Sequence, residues 1–253
     1  MKISVIIPFH KDIIKLKNSF ISVKNQKKCN DFEIEVIIGN DSNYSDKEIK
    51  VFLSKGEDNN LIIAKNNKRK GPGNARNAAI EKSTGDLISF LDADDEWMEN
   101  KIYMQFKKIR EGFNFISTNY FYIPSLKKVI SPKYISNFKD LFFKGPIGTS
   151  TILISRELLG KTRFNNMYFC QDLVLWTELA KKNNFRYFNL NNPLVKYSLE
   201  GRTSKNNYFK RAYYYFLACK EANLNLFESI LAIIFYGIKG ILNRTMASIN
   251  IKI

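Results

Sequence analysis

Acidic residues directly follow a short apolar segment in the first half of the chain. The segment 87–91 is almost wholly apolar, Gly85 precedes it, and Asp92, Asp94 and Asp95 follow it. A short, continuous apolar run of this kind predicts a strand buried on both faces of a largely parallel sheet. Ligands of open α/β sheets bind just beyond the carboxyl ends of the strands. We therefore expect Asp92 and Asp94 to lie where chemistry takes place.

The spacing of Asp92 and Asp94 suits a divalent cation, because carboxylates separated by one residue can turn toward the same ion. Such oxygen ligands favour Mg²⁺ or Mn²⁺, which proteins usually hold with one or two carboxylates and substrate phosphates. The alternative is that the acids only cap the next helix. We assign that role to Asp95, before a helix predicted through Trp97 and Phe106. Capping explains Asp95 alone. We therefore predict that Asp92 and Asp94 bind a metal ion and a diphosphate.

The composition is that of a folded protein with an excess of positive charge. The 253 residues are 45% hydrophobic and 14% aromatic, which predicts a packed core and argues against disorder. There are 40 Lys and Arg residues against 24 Asp and Glu, a net charge of +16. This charge suits a nucleic acid, a phosphorylated substrate or an anionic membrane surface, and does not choose among them.

The cysteines and the N-terminus both predict a protein that stays in the cytoplasm. Cys29, Cys170 and Cys219 are odd in number and far apart, so we expect free thiols in a reducing compartment. The apolar run at 3–7 is too short for a signal peptide. No apolar run approaches the ~20 residues that a membrane-spanning helix needs.

Strands and helices are predicted to alternate in the part of the chain that leads to the acidic cluster. Apolar strands are expected at 3–7, 33–38 and 61–64, with Asp12 and Ser45 starting the helices between them. This order implies right-handed parallel units whose strand ends share one edge. Pro8 is expected to end the first strand, because proline cannot donate to a sheet ladder. The residues that a nucleotide laid across this edge would meet are Pro8, Phe9, Asp41 and Asp92.

The pattern changes beyond Gly112. Strands are predicted at 114–123, 128–130 and 149–154, and a helix follows Gln171 and Asp172. No internal repeat or low-complexity linker occurs. We therefore predict one continuous domain with two lobes, a nucleotide-binding half at 1–112 and an acceptor half at 113–204.

The last part of the chain, 205–253, contains two helical patterns and seven Lys and Arg residues against two acids. A basic amphipathic segment of this length would lie on a membrane surface rather than cross it. The alternative is that it packs on the catalytic part as an ordinary core helix, and the sequence leaves both open.

Five short motifs occur in an order typical of one enzyme family. They are V-I-I-P at 5–8, N-D-S at 40–42, G-N-A-R-N at 73–77, L-D-A-D-D at 91–95 and Q-D at 171–172. Together they resemble the family 2 glycosyltransferases of the GT-A fold, over about residues 1 to 205. The resemblance implies a Rossmann-like, mixed but mainly parallel α/β sheet flanked by helices, followed by a C-terminal helical tail. It also implies an inverting enzyme that moves a sugar from a nucleotide diphosphate, usually uridine-based, to a hydroxyl in bacterial surface-polysaccharide synthesis.

The resemblance assigns roles to individual positions. It implies that Asp94 ligates Mn²⁺ or Mg²⁺ and that Asp172 is the general base. Arg202 or Ser204 would reach the diphosphate from a lid at 197–204. The residues assigned to the nucleotide sugar are Pro8, Phe9, Asp41, Arg76, Asp92, Ala93 and Arg202. Two departures from the common pattern occur. Where the family commonly has two acids or Asp-Gly-Ser, Asn40 precedes Asp41 and Asn43 follows Ser42, and Gln171 stands where glutamate is common.

The chemistry of these residue types agrees with that assignment. Loss of a nucleotide diphosphate builds negative charge, which a divalent cation neutralises. A hydroxyl is a poor nucleophile at neutral pH, so a carboxylate must take its proton, for a gain of ~10²–10⁴-fold in rate. Asp172 is the best candidate in the second half of the chain. Capping of the helix that follows it is the alternative role.

Two other functions compete with glycosyl transfer. A nucleotidyltransferase uses a similar sheet, but it usually has a glycine-rich loop after the first strand, and residues 8–11 contain no glycine. A nucleic-acid-binding protein would suit the charge, but no recognition motif occurs. We therefore expect a nucleotide-sugar donor, a glycan or polyprenyl-linked acceptor and an anionic membrane surface as partners, with no nucleic acid, at the inner face of the plasma membrane.

Overall fold

The computed structural model of the protein describes residues 1–199 and 208–249. The strands within these residues are β1 (Lys2–Phe9), β2 (Glu33–Asn40), β3 (Leu61–Lys65), β4 (Leu87–Phe90), β5 (Glu96–Trp97), β6 (Phe115–Ile123), β7 (Lys127–Val129), β8 (Leu153–Ser155) and β9 (Tyr187–Ser198). The helices are α1 (Ile13–Lys24), α2 (Asp46–Ser54), α3 (Pro72–Lys82), α4 (Lys101–Arg110), α5 (Asp140–Phe143), α6 (Arg156–Leu159), α7 (Gln171–Ala180), α8 (Tyr208–Glu221) and α9 (Leu226–Ile249).

The described strands form one mixed sheet in the order β3-β2-β1-β4-β8-β6-β9-β5, and β7 pairs with β6 outside this path. The first four strands of that order are parallel to one another. β8 runs antiparallel to both β4 and β6, while β9 runs parallel to β6. The predicted mixed but mainly parallel α/β sheet flanked by helices is confirmed, and its first half is wholly parallel.

Both faces of the sheet are covered, as the apolar strand segments predict. Val5 and Ile7 of β1 pack in a core cluster with Leu16 of α1, whereas Ile6 packs in a second cluster with Ala79 of α3. Alternation along a strand sends successive side chains to opposite faces. Helices on both faces therefore hold the strand ends at a fixed edge.

β1 continues past the predicted stop at Pro8. Pro8 and Phe9 pair in register with Gly39 and Asn40. The N–H of Leu91 donates to the carbonyl of Ile6, so the backbone N–H and C=O groups of Ile6 point toward β4. Since this direction alternates along a strand, the backbone nitrogen of Pro8 points to the same side. Because β4 ends at Phe90, Pro8 faces no partner strand on that side. Its missing N–H therefore breaks no ladder bond, and the expectation that Pro8 ends the strand is wrong.

The chain after the acidic cluster also differs from prediction. Glu96 and Trp97 form β5, which pairs with β9, and α4 begins only at Lys101 after Asn100. Asp95 lies buried and does not cap a helix. Pairing with a strand from much later in the chain delays the start of the helix, and a local capping pattern cannot reveal this.

The second half contains the predicted β6–β7 hairpin and α7, with two changes. The predicted strand at 149–154 begins as a 3₁₀ turn, Thr149–Thr151, and only Leu153–Ser155 pair as β8. The sequence analysis did not predict β9, in which the polar residues 191–192 and Pro193 interrupt the apolar pattern. Residues 197 and 198 belong to this strand rather than to a lid, and Arg202 and Ser204 lie outside the described residues.

Helices α8 and α9 pack on the rest of the protein through one face. Ala218 and Ala232 are fully buried, and Lys139 forms an ion pair of 2.6 Å with Glu228. The other face leaves large apolar side chains exposed. Those on α9 are Leu226, Phe227, Ile230, Ile234, Phe235 and Ile238. None of the described helices combines the length and the hydropathy required to span a bilayer.

Candidate active site

A buried arginine lies at the sheet edge beside the acidic cluster. Arg76, on α3, is 5% exposed and forms an ion pair with Asp92, which follows β4. Burial lowers the pKa of Arg76, but the charge and hydrogen bond of Asp92 and the charge of Asp172 outweigh it, so its pKa is raised. The interaction with Asp172 brings residues from the two halves of the chain into one electrostatic unit.

Asp172 lies in the first turn of α7, and its position differs from that of a cap. The N-cap residue of α7 is Cys170, in a left-handed conformation with φ of 59°. One carboxylate oxygen of Asp172 accepts a hydrogen bond of 3.1 Å from Thr149 Oγ1, and the other accepts from the backbone N–H of Leu173. Asp172 also lines a cavity of about 380 Å³. Its carboxylate is therefore oriented by neighbours and faces open space.

Helix α3 and helix α7 touch at their N-terminal ends. A Cβ atom on Gly73 would lie 2.0 Å from Oε1 of Gln171 and 3.0 Å from the carbonyl oxygen of Asn165. Asn77 and Phe164 exchange two hydrogen bonds, of 2.8 and 3.0 Å, one turn further along α3. This contact fixes the helix of Arg76 against the helix of Asp172.

Asp41 joins the ends of neighbouring elements at the same edge. Its carboxylate accepts hydrogen bonds from Asn66 Nδ2 at 2.9 Å and from the N–H of Gly71 at 2.8 Å. Phe9 is 1% exposed beside Tyr44, with 5.9 Å between ring centroids, so it supports this edge from the core. Pro8, near the end of β1, and Ala93, in the turn after β4, are partly exposed.

Asp94 does not line the cavity of Asp172. It borders a separate depression with Lys15, Asn18 and Ser198. Asp95, the next residue, feels the charges of both Asp92 and Asp94. The acidic cluster is thus electrostatically continuous, although Asp94 and Asp172 face different spaces.

Comparison with known proteins decides the family. The sequence model described as glycosyl transferase family 2 matches residues 4–174. The chain belongs to that family. It is therefore a glycosyltransferase, as the motif order predicts, and the family favours this activity over a nucleotidyltransferase.

Individual relatives agree with the family assignment. The chain is 28% identical over 212 residues to the Escherichia coli UDP-Glc:alpha-D-GlcNAc-diphosphoundecaprenol beta-1,3-glucosyltransferase WfgD, covering 82% of this chain and 81% of that protein. Its fold is similar to that of S. aureus TarS 1–349 in complex with UDP-GlcNAc, with a TM-score of 0.67, 18% identity and coverage of 92% and 70%. It is also similar to the mannosyltransferase PcManGT from Pyrobaculum calidifontis in complex with GDP-Man and Mn²⁺, with a TM-score of 0.65, 15% identity and coverage of 92% and 68%.

The acidic cluster of this family 2 enzyme fits one particular kind of metal site. Within residues 1–199 and 208–249, no group of three or more His, Cys, Asp or Glu side chains could enclose an ion. Asp92 and Asp94 are partly exposed and offer hard oxygen atoms, and Arg76 occupies one oxygen of Asp92. The residues therefore fit an ion whose shell is completed by phosphate oxygens, and do not fit a cage made of protein ligands alone.

Asp95 is a site residue that the sequence analysis misassigned. Its carboxylate accepts hydrogen bonds of 2.5 Å from Ser150 Oγ and 2.8 Å from the N–H of Ser198. Burial, together with the charges of Asp92 and Asp94, raises its pKa well above the ordinary value. It thereby ties the acidic cluster to the 3₁₀ turn and to the end of β9.

Thr149 and Ser150 are site residues that the sequence analysis missed, and Tyr197 is one that it placed in a lid. Thr149 donates a hydrogen bond to Asp172, and Ser150 donates one to Asp95. Burial is the main cause that raises the pKa of Tyr197 well above its ordinary value, and the charges of Asp95 and Asp92 add to it. The glycines and the proline at 145–148, directly before Thr149, are a sequence signal near them, and Gly148 lies against the site. A Cβ on Gly148 would lie 2.9 Å from the Tyr197 ring.

Proposed function

We propose that this family 2 enzyme is an inverting transferase that moves a sugar from UDP to a hydroxyl of a glycan linked to polyprenyl diphosphate. The reaction would be a step in the synthesis of a surface polysaccharide such as O-antigen, capsule or lipooligosaccharide. The observation that supports it most is the pairing of Arg76 with Asp92 at the sheet edge, on a helix that packs through Gly73 against Gln171, the residue before Asp172. The name of WfgD, with its UDP-Glc donor and diphosphoundecaprenol acceptor, supports the choice of substrates.

Arg76 would stabilise the leaving group. Breaking the bond between the sugar and UDP leaves extra negative charge on the diphosphate, and a fixed guanidinium beside it lowers the energy of that charge. Asp92 holds Arg76 in place, so little reorganisation is needed when the charge develops. Asp41 and the residues around Phe9 would receive the uridine at the adjoining strand ends.

Asp94, together with the free oxygen of Asp92, would hold Mn²⁺ or Mg²⁺ against the donor phosphates. When bound, the ion would neutralise charge on the leaving diphosphate. Calorimetry tests this role without any acceptor: UDP should bind more tightly in the presence of Mn²⁺. Asp94→Ala should remove that increment and leave the metal-free affinity for UDP unchanged. An increment that survives in Asp94→Ala would reject Asp94 as the ligand.

Asp172 would be the general base. It would take the proton of the acceptor hydroxyl as this oxygen attacks the sugar from the side opposite UDP, and such an attack inverts the configuration at that carbon. Thr149 donates a hydrogen bond to Asp172 and so orients its carboxylate. Because Asp172 also lines the cavity, its carboxylate is accessible to an acceptor hydroxyl there.

The base role predicts a specific effect of Asp172→Asn. The amide keeps the shape of the side chain but cannot accept the proton, so kcat should fall by ~10²–10⁴-fold. The Kd for UDP should be unchanged. Glu178→Gln, an equivalent change on the exposed side of α7, is the matched control and should be fully active. Normal sugar transfer by Asp172→Asn would rule out the proposed base.

The exposed apolar face of α9 would lie on the inner face of the plasma membrane, where a lipid-linked acceptor is located. The tail from residue 205 has seven Lys and Arg residues against two acids, which favours anionic lipids. The side chains at 226, 230, 234 and 238 are four residues apart, so they form one stripe along the helix. The sequence left open whether the tail lies on a membrane or packs on the catalytic part. With this arrangement α9 would do both, because its opposite face packs on the protein.

A further inference from the structure

The cavity beside Asp172 has an aromatic lining that the donor chemistry does not use. It measures about 380 Å³ and includes Tyr120, Tyr122, Trp176, Tyr197, Tyr215 and Tyr236 in its walls. Trp176 is 1% exposed, and its indole N–H has no hydrogen-bond partner among the described residues. Pockets with apolar walls and a few polar groups are typical of ligand sites, and a buried indole N–H normally has an acceptor. A sugar ring offers both an apolar face and hydroxyl acceptors.

The outer wall of the cavity comes from α8 and α9, which lie beyond the residues that the family shares. The family match ends at residue 174, whereas Arg211, Tyr215 and Tyr236 line the cavity. Tyr215 stacks on Tyr236 with 4.4 Å between ring centroids, and its hydroxyl donates to the carbonyl of Phe142 at 3.0 Å. These contacts fix the wall in position. What the cavity accepts is therefore determined in part by segments outside the family match.

The lining contains two charged side chains, Asp172 and Arg211. Arg211 is half-buried and lies near Cys170, the residue before α7. Burial raises the pKa of Cys170, and the positive charge of Arg211 opposes part of that increase. A guanidinium is suited to a phosphate group, which it can bind through two parallel hydrogen bonds. Arg76 already serves the donor side with Asp92. A second arginine on the acceptor side of Asp172 therefore suits a second phosphate.

We propose that this cavity binds the first sugar of the acceptor together with the diphosphate that links it to lipid. This inference rests on the proposed function. The sugar ring packs against the tyrosines with one hydroxyl toward Asp172, and Arg211 binds the acceptor diphosphate. The C-terminal helices thus select a glycosyl diphosphate over an uncharged glycoside.

Calorimetry on the full chain, with excess UDP present to occupy the donor site, tests the assignment. The probes are N-acetylglucosamine joined through a diphosphate to a short lipid, and the octyl glycoside of the same sugar. Wild type should bind the diphosphate probe more tightly by roughly tenfold or more, the effect of a charge-assisted hydrogen bond. Arg211→Ala should remove this preference. Lys210→Ala, the matched loss of charge at the neighbouring exposed position, should keep it.

A second variant separates the sugar contact from the phosphate contact. Tyr236→Leu removes a ring from the wall and should weaken both probes by a similar factor. Equal preference for the diphosphate probe in Arg211→Ala and Lys210→Ala would overturn the inference. The proposed function fails separately: it is wrong if wild type binds the diphosphate probe but transfers no sugar to it from any UDP-sugar.

Discussion

Asp95 illustrates how one buried carboxyl group can organise a site that it does not enter. Besides Ser150 and Ser198, which donate to its side chain, its backbone carbonyl accepts from Ser19 Oγ of α1 at 2.7 Å. The Oγ of Ser150 also accepts from the N–H of Asp92 at 3.0 Å. Three separate segments are therefore held against the loop between Asp92 and Asp95. We interpret Asp95 as a positioning residue for its acidic neighbours.

Because the pKa of Asp95 is raised in the folded protein, stability should depend on pH in a defined direction. At a pH above the ordinary aspartate pKa of about 3.9, Asp95 keeps its carboxyl proton in the native state and loses it in the unfolded chain. In that pH range the native state therefore binds more protons than the unfolded chain. Stability from this group is present below that value and is lost as the pH rises toward the folded pKa. Asp95→Asn is neutral at every pH and avoids the loss. The Tm of wild type minus that of Asp95→Asn should decrease between about pH 5 and about pH 8.

Asp12→Asn is the control for this pH experiment, because Asp12 is exposed and caps α1, where Asn also caps well. Thermal unfolding of the three proteins at both pH values provides the comparison. A difference between wild type and Asp95→Asn that does not change with pH would contradict a protonated Asp95.

At the scale of elements, the contact between α3 and α7 joins the first half of the chain to the second half. The charge of Asp172 raises the pKa of Arg76 across this contact, which depends on the small size of Gly73. Gln171, which this glycine touches, is buried and directly precedes Asp172. Any change at the contact is therefore transmitted to the position of the proposed base.

Gly73→Ala should reduce sugar transfer and also stability. The new methyl group would displace the Gln171 side chain and press on the carbonyl of Asn165, and overpacking of this kind typically costs about 1–3 kcal/mol. Gly237→Ala, on α9, is the control, because a Cβ added at Gly237 would meet no neighbouring atom within 4 Å. That variant should keep full activity and unfold at an equal or higher temperature. Wild-type activity and Tm in Gly73→Ala would show that the two helices separate without cost.

At the scale of the whole molecule, α8 and α9 have two different faces. One contributes Tyr215 and Ala232 to the core, and the other exposes the apolar stripe from Leu226 to Ile238. Exposed apolar patches on soluble surfaces commonly mark interaction sites, and basic charge nearby favours an anionic membrane over a protein core. The same pair of helices would thus close the acceptor cavity and hold it at the lipid surface.

Replacing Ile230 and Ile234 together by Ser should release the protein from vesicles that contain anionic lipid. Each exposed side chain that enters the bilayer interface adds roughly tenfold or more to partitioning, so the loss should be large. Ile14→Ser removes a still more exposed apolar side chain from α1 and should bind as wild type does. Co-sedimentation with vesicles measures the result. Unchanged sedimentation of the double variant would indicate that the stripe does not contact lipid.

The sequence by itself determined the parallel half, the placement of Asp92 and Asp94 after a strand, and a helix that begins beside Asp172. Those features depend on local periodicity and on residues close together in the chain, which a single sequence displays. Tertiary structure alone decided that Asp95 is buried rather than a cap, because its partner Ser198 is 103 positions away. It also decided the pairing of β5 with β9, and the cavity wall that α8 and α9 supply. These contacts form only when distant segments pack together, so no short sequence pattern encodes them.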